Sequence, residues 1–130
     1  MAENILLGYD LGTTALAGRL ATSAGRILAE AETDNPQKIF GNDVIRRLEA
    51  SREGHAEELQ ALLGDGINGL TAELLKQAGQ EESSIAAAAA AANPALSHLL
   101  ANQPVDKILF PPHRPDFTGD KFFDPYTLKL

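Results

Sequence analysis

Residues Ile5–Leu20 read Ile-Leu-Leu-Gly-Tyr-Asp-Leu-Gly-Thr-Thr-Ala-Leu-Ala-Gly-Arg-Leu. An apolar run ends at Asp10-Leu11, Gly12-Thr13-Thr14 follow, and a second apolar run begins at once. The pattern predicts strand, tight turn, strand. Gly12 has no Cβ, so the backbone can approach a ligand closely there. Thr13 and Thr14 bring hydroxyls and N–H donors, and Asp10 brings a carboxylate. Donors beside one carboxylate suit a phosphate carrying Mg²⁺, because that ion keeps much of its water and takes one or two carboxylates. A plain hairpin uses the same residue types, since Asp and Gly favour its turn. Both readings stand at this point. The segment is not a P-loop, for no G-x-x-x-x-G-K-[ST] occurs in the chain.

The chain has 130 residues, enough for one domain with a core of its own. Its 44% hydrophobic and 22% charged residues place it with globular rather than disordered chains. A net charge of −7 argues against a nucleic-acid or anionic-membrane surface. There is no cysteine, so no disulfide, thiolate nucleophile, zinc–thiolate site or iron–sulfur cluster can reside in this chain. That composition fits a reducing cytosol, and a cytoplasmic location is the expectation. Met-Ala-Glu-Asn at the start lacks the basic and apolar regions of a signal peptide. No apolar stretch reaches the roughly 18 residues of a membrane span.

Strands are expected over 4–11 and 14–22, with Ser23-Ala24-Gly25 as the turn after them. Residues 26–33 alternate imperfectly, and Ala and Glu are poor strand formers, so a helix competes there. The strand is retained because its neighbours are strand-like and the turn is short, giving a three-stranded antiparallel meander. Residues 34–43 read as loop, with Asn42 or Asp43 as N-cap of a helix starting near Val44. A break is expected at Arg52-Glu53-Gly54-His55. From 56 to 77 the apolar residues fall at 59, 62, 63, 67, 70, 74 and 75, one face of an α-helix. Gly64, Gly66 and Gly69 inside it imply a kink or close packing on a sheet, and Ala78-Gly79 ends it. For Ala86–Ala92 propensity says helix and position says strand. Asn93 then opens a short helix, Pro94–Ala101, with Pro at its first position. The chain divides into residues 1–102 and a tail, 103–130, rich in proline and aromatics. Those aromatics are expected to dock on the domain or on a partner.

Taken together, the pattern resembles the start of an actin-like ATPase domain, as in sugar kinases, Hsp70 chaperones and actin. Asp10-Leu11-Gly12-Thr13-Thr14 matches the first phosphate segment of that superfamily. A narrower resemblance is to the ATPase domain of reductive activators of corrinoid enzymes, which are ferredoxin-linked proteins. Asn35-Pro36-Gln37, Phe40-Gly41-Asn42-Asp43-Val44-Ile45-Arg46-Arg47 and Asn93-Pro94-Ala95-Leu96-Ser97-His98-Leu99-Leu100 stand in that family's order. The resemblance spans most of residues 5–117. There are departures. The family's valine-rich strand is alanine here, Ala92 stands for its glycine, Pro94 for its threonine and Ser97 for its first histidine. The family's ferredoxin segment, second phosphate loop and adenosine-binding glycines are not in this sequence.

The resemblance implies an α/β fold: a ribonuclease-H-like first subdomain, its mixed sheet opening with the meander and carrying helices on its faces. It implies that Gly12, Thr13 and Thr14 contact the β- and γ-phosphates of ATP and that Asp10 orients Mg²⁺ through water. Asn93, at the end of a strand and the start of a helix, is read equally as a nucleotide contact outside a strand's carboxyl end and as a helix N-cap. The parent protein would use ATP to assist the return of an oxidised corrinoid to Co(I). Its partners would be a corrinoid protein and a ferredoxin-type electron donor. Half an ATP clamp is expected to bind Mg·ATP weakly or not at all alone, and its exposed interlobe face to favour homo-oligomers. Two alternatives remain: a fragment of a small-molecule kinase, and a non-catalytic interaction module. Asn35 and Gln37 are read as shaping a loop near the cleft, Asp43 as a cap, and His98 as structural. Metal binding by His55 or His113 is not expected.

Overall fold

In the computed structural model, residues 4–102 and Val105 are described. The two opening apolar runs form strands β1 (Ile5–Leu11) and β2 (Ala15–Thr22), antiparallel, with Leu11 opposite Leu16. Ser23, Ala24 and Gly25 return the chain into β3 (Ile27–Asp34), which pairs antiparallel with β2. Gly25 carries φ 90°, a value glycine adopts without a Cβ penalty. The expected meander therefore forms, and Ile27–Asp34 is strand, not helix. The Arg19–Glu30 ion pair sits across β2 and β3 at 3.0 Å.

The stretch after β3 is more ordered than a loop. Pro36–Phe40 makes a 3₁₀ helix capped by Asn35. Helix α1 (Val44–Ala50) starts where Asp43 accepts a hydrogen bond from the Arg46 N–H at 2.9 Å, the capping role read for it. The expected break at 52–55 is a π-helical turn, Ser51–His55, with Gly54 at φ 104°. It redirects the chain into α2 (Ala56–Ala78), which Gly79 ends in the left-handed conformation.

Helix α2 lies on one face of the sheet. Leu59, Leu63, Ile67, Leu70 and Leu74 are buried along its inner side, the periodicity read from the sequence. Leu63, Ile67, Leu70 and Leu74 meet Ile5, Leu7 and Leu11 of β1, Leu16 and Leu20 of β2, and Ala29 of β3. Of the helix glycines, Gly66 shows why it is small. A Cβ there would lie 2.7 Å from the Leu16 side chain and 3.0 Å from the Pro36 ring. Close packing on the sheet, not a kink, explains that position.

Ala86–Ala92 is strand. Ile85–Ala92 forms β4, parallel to β1, with Leu11 opposite Ala92. The sheet order is β3-β2-β1-β4. Seven consecutive alanines favour helix intrinsically, but the pairing with β1 outweighs that preference. Asn93 leads into α3 (Pro94–Leu100), which packs with α1 and the start of α2 through Ala95, Leu96, Leu99, Leu48 and Leu59. Helices on both faces were expected. Among the described residues they gather on one, and Leu6, Gly8 and Asp10 face outward on the other. The physical reason is in the strands: apart from Leu6, the residues of β1 and β2 on that second face are Gly, Ala and charged, which give a helix little apolar surface to bury. The tail, 103–130, lies outside the described residues except for Val105, which is buried beside α3.

Candidate functional site

The β1–β2 turn is short because Gly12 permits it. The Gly12 N–H donates to the Ala15 carbonyl at 2.9 Å, and a Cβ on Gly12 would stand 2.6 Å from that same oxygen. No other residue type fits without moving the turn. Thr13 and Thr14 occupy its tip, Thr14 exposed and Thr13 half-buried. Among the described residues no hydrogen bond engages their hydroxyls or N–H groups. Those four donors are available to a ligand.

The parallel register of β1 and β4 brings the other candidates to the same end of the sheet. Asp10 lies opposite Ala17 on one side and Ala91 on the other. Its neighbours on the open face are thus methyl groups, and its carboxylate is exposed. Leu11 lies opposite Ala92, so Asn93 begins where the Gly12 turn begins. β1 leaves this end toward β2, while β4 leaves toward α3. Ligands of open α/β sheets bind outside the carboxyl ends of strands whose connections diverge in this way. The Asn93 side chain accepts the Leu96 N–H at 2.9 Å. Capping is therefore its structural task.

Asn35 belongs to this site more firmly than the sequence suggested. It is fully buried. Its Nδ2 donates to the Gly12 carbonyl at 2.9 Å, and its own N–H donates to the Thr14 carbonyl at 2.9 Å. Its Oδ1 accepts the Gln37 N–H at 2.9 Å. Gln37, also buried, continues inward, its Nε2 donating to the Leu59 carbonyl in α2 at 2.8 Å. Arg47 is also buried, its Nε donating to the Gly41 carbonyl at 3.0 Å. Desolvation pushes the Arg47 guanidinium below its ordinary value, and the Asp43 carboxylate opposes that shift.

Two concavities lie away from the turn. One, of about 420 Å³, runs between β3 and α2 and is lined by Glu32, Asp34, Asp65 and Glu73, which would repel a phosphate. The other, of about 540 Å³, is mostly apolar, between β1, β4 and α2, with Leu7, Leu75, Ile85 and Ala88 on its walls. Tyr9 sits there and donates its hydroxyl to Thr71 Oγ1, because Thr71 spends its own proton on the Ile67 carbonyl. Burial pushes the Tyr9 phenol upward. The glycines of Gly64-Asp65-Gly66-Ile67-Asn68-Gly69 have the G-x-G-x-x-G spacing. They lie in the middle of α2 with no strand leading into them, so they make no phosphate loop. His55 pairs with Glu58 and packs on Phe40, and His98 is buried, as read. No group of three or more metal-binding side chains occurs among the described residues. His113 lies outside them.

Comparison with known proteins bears on the whole chain. No curated protein matches it. Among solved structures, a protein described as a reductive activator for corrinoid, iron–sulfur protein superposes with a TM-score of 0.85 at 32% sequence identity. That match covers 88% of this chain and 19% of the other, so the chain spans about a fifth of the protein it resembles. The model of the RACo middle region matches residues 6–130. By that match across nearly its whole length, this chain belongs to the RACo middle region family.

Proposed function

We propose that this chain is part of an ATP-dependent activator that assists the reductive reactivation of a corrinoid protein, and that it contributes a phosphate-binding turn. The observation that carries the reading is the free donor set of Thr13 and Thr14, held at the carboxyl end of β1 beside the exposed Asp10. Backbone N–H groups left without a partner at a turn favour an anion. Gly12 leaves the approach free of a side chain, and Asp10 can take a hydrated Mg²⁺ through its water shell. The residues present therefore fit a phosphate with its magnesium. Bound Mg·ATP would supply the differential affinity that drives two lobes from an open to a closed state. This chain's part is to bind and orient the phosphates. A corrinoid iron–sulfur protein is the partner that fits the solved relative's description, with a ferredoxin-type centre delivering the electron from elsewhere, since this chain has no cysteine to ligate one.

The test is equilibrium binding of Mg·ATP to the 130-residue chain, with Asp10→Ala alongside. A dissociation constant weaker than about 10 µM, roughly −7 kcal/mol, is expected, with the magnesium dependence lost in Asp10→Ala. Tighter binding sinks the half-site idea. Binding that Asp10→Ala leaves fully magnesium-dependent removes Asp10 from the site. The reading as an interaction module draws on a different observation, the exposure of Ala86–Ala91. It predicts no nucleotide response at all.

A further inference from the structure

The turn's geometry is imposed from outside the hairpin. We propose that Asn35 is its positioning residue, holding the carbonyls at either end of the Thr13-Thr14 pair, those of Gly12 and Thr14, so that the Thr13 N–H is presented to a phosphate. The ligand in this statement rests on the phosphate reading above, whereas the positioning rests on the hydrogen bonds.

In the planar trans peptide, N–H and C=O point in opposite directions. The Gly12 carbonyl belongs to the same peptide unit as the Thr13 N–H. Once Asn35 Nδ2 draws that carbonyl inward at 2.9 Å, the Thr13 N–H must point away from Asn35. The Thr14 carbonyl is drawn the same way by the Asn35 N–H at 2.9 Å. One buried residue therefore fixes the peptides at either end of the pair. Inside the hairpin the Gly12 N–H to Ala15 carbonyl bond closes the turn but leaves the Gly12–Thr13 peptide free to rotate. Asn35 is itself held, because its Oδ1 receives the Gln37 N–H and Gln37 Nε2 is anchored on the Leu59 carbonyl of α2. A chain of hydrogen bonds thus runs from the largest helix to the turn. Asn is the right residue for it, since one side chain must donate to Gly12 and accept from Gln37 at once.

Asn35→Asp separates positioning from mere packing. The carboxylate keeps the acceptor for Gln37 but cannot donate to the Gly12 carbonyl. Burial raises its pKa, so that acidification restores a donor as the protonated acid. In the 130-residue chain, Mg·ATP is titrated and the Thr13 amide signal is followed, with affinity taken for the folded molecules. At about pH 7.5, Asn35→Asp and Asn35→Ala should bind about tenfold more weakly than the parent chain, the loss of roughly one hydrogen bond. Near pH 5, Asn35→Asp should recover to within about threefold of the parent chain at the same pH, while Asn35→Ala should not. If Asn35→Ala does not fold, the pH comparison on Asn35→Asp decides alone. Variants that melt earlier yet bind with the parent's affinity would overturn the proposal, because Asn35 would then be structural only. The ligand-free chain supplies the check that is independent of the nucleotide. An unchanged Thr13 amide shift and exchange rate in Asn35→Asp overturns positioning. A parent chain whose Thr13 amide ignores Mg·ATP overturns the phosphate reading instead.

Discussion

The two faces of the sheet are made by alternate residues of the same strands, yet they do different work. On β1, Ile5, Leu7 and Leu11 are at most 5% exposed and pack under α2. Leu6, between Ile5 and Leu7, is 39% exposed, and Gly8 and Asp10 are open beside it. On β2, Leu16 and Leu20 are sealed while Ala15, Ala17, Arg19 and Ala21 look outward. The covered face carries the apolar area that stabilises the fold. The open face carries little beyond Leu6 and alanine methyls, and the candidate carboxylate stands on it. Stability and the proposed chemistry are therefore separable by the parity of the residue number, and substitutions should show that separation.

The largest effect is expected for Leu16→Ala. Leu16 is fully buried between Leu63, Ile67 and Leu70, so its loss should cost about 2–5 kcal/mol in denaturant unfolding. Gly66→Val comes next. Its side chain would collide with Leu16 and the Pro36 ring, an overpacking cost of about 1–3 kcal/mol. That variant should also disturb Asn35 through the neighbouring proline. Tyr9 gives a smaller, pH-dependent effect. Its pKa is raised in the fold, so the stability linked to it is complete below the unfolded value near 10 and is lost as pH rises through the raised one. Tyr9→Phe should flatten the alkaline limb of stability against pH, and an unchanged limb would remove Tyr9 as its cause. The smallest change is Ala89→Thr on the open face. Ala89 lies opposite Gly8, where no atom stands within 4 Å of a built Cβ. Thr suits a strand better than Ala, so stability should hold or rise by up to about 1 kcal/mol. A loss like that of Gly66→Val would mean that the face is covered in solution and the comparison of faces fails.

Much of this was legible from sequence, and the reasons are local. The strand–turn–strand at Ile5–Leu20 rests on two apolar runs and the glycine between them. α2 rests on a three-and-four spacing that ran unbroken past three glycines. Asp43 sits before an apolar helix and does what such residues do. The alanine run was undecidable because alanine carries no side-chain signal. Its state is set by pairing with β1, some 80 residues earlier in the chain. The side on which helices gather was not read either, since it depends on which parity of each strand is apolar and on where α2 settles. Within the site, Asp10, Gly12, Thr13, Thr14 and Asn93 do come together at one sheet end, by a register that no short-range pattern specifies. The grip of Asn35 on Gly12 and Thr14 was missed in its detail. It is a long-range bond between a side chain and a turn, and it leaves no periodicity behind. The one trace was the position of Asn35, immediately before a proline and two residues before Gln37.

The account depends most on the Gly12–Thr14 turn meeting phosphate. The direct measurement is the backbone amide spectrum of the 130-residue chain as Mg·ATP is raised into the millimolar range. Shifts concentrated at Gly12, Thr13 and Thr14, with a smaller response at Asn93, are the predicted result. Shifts confined to other surfaces, or none at all, would contradict it.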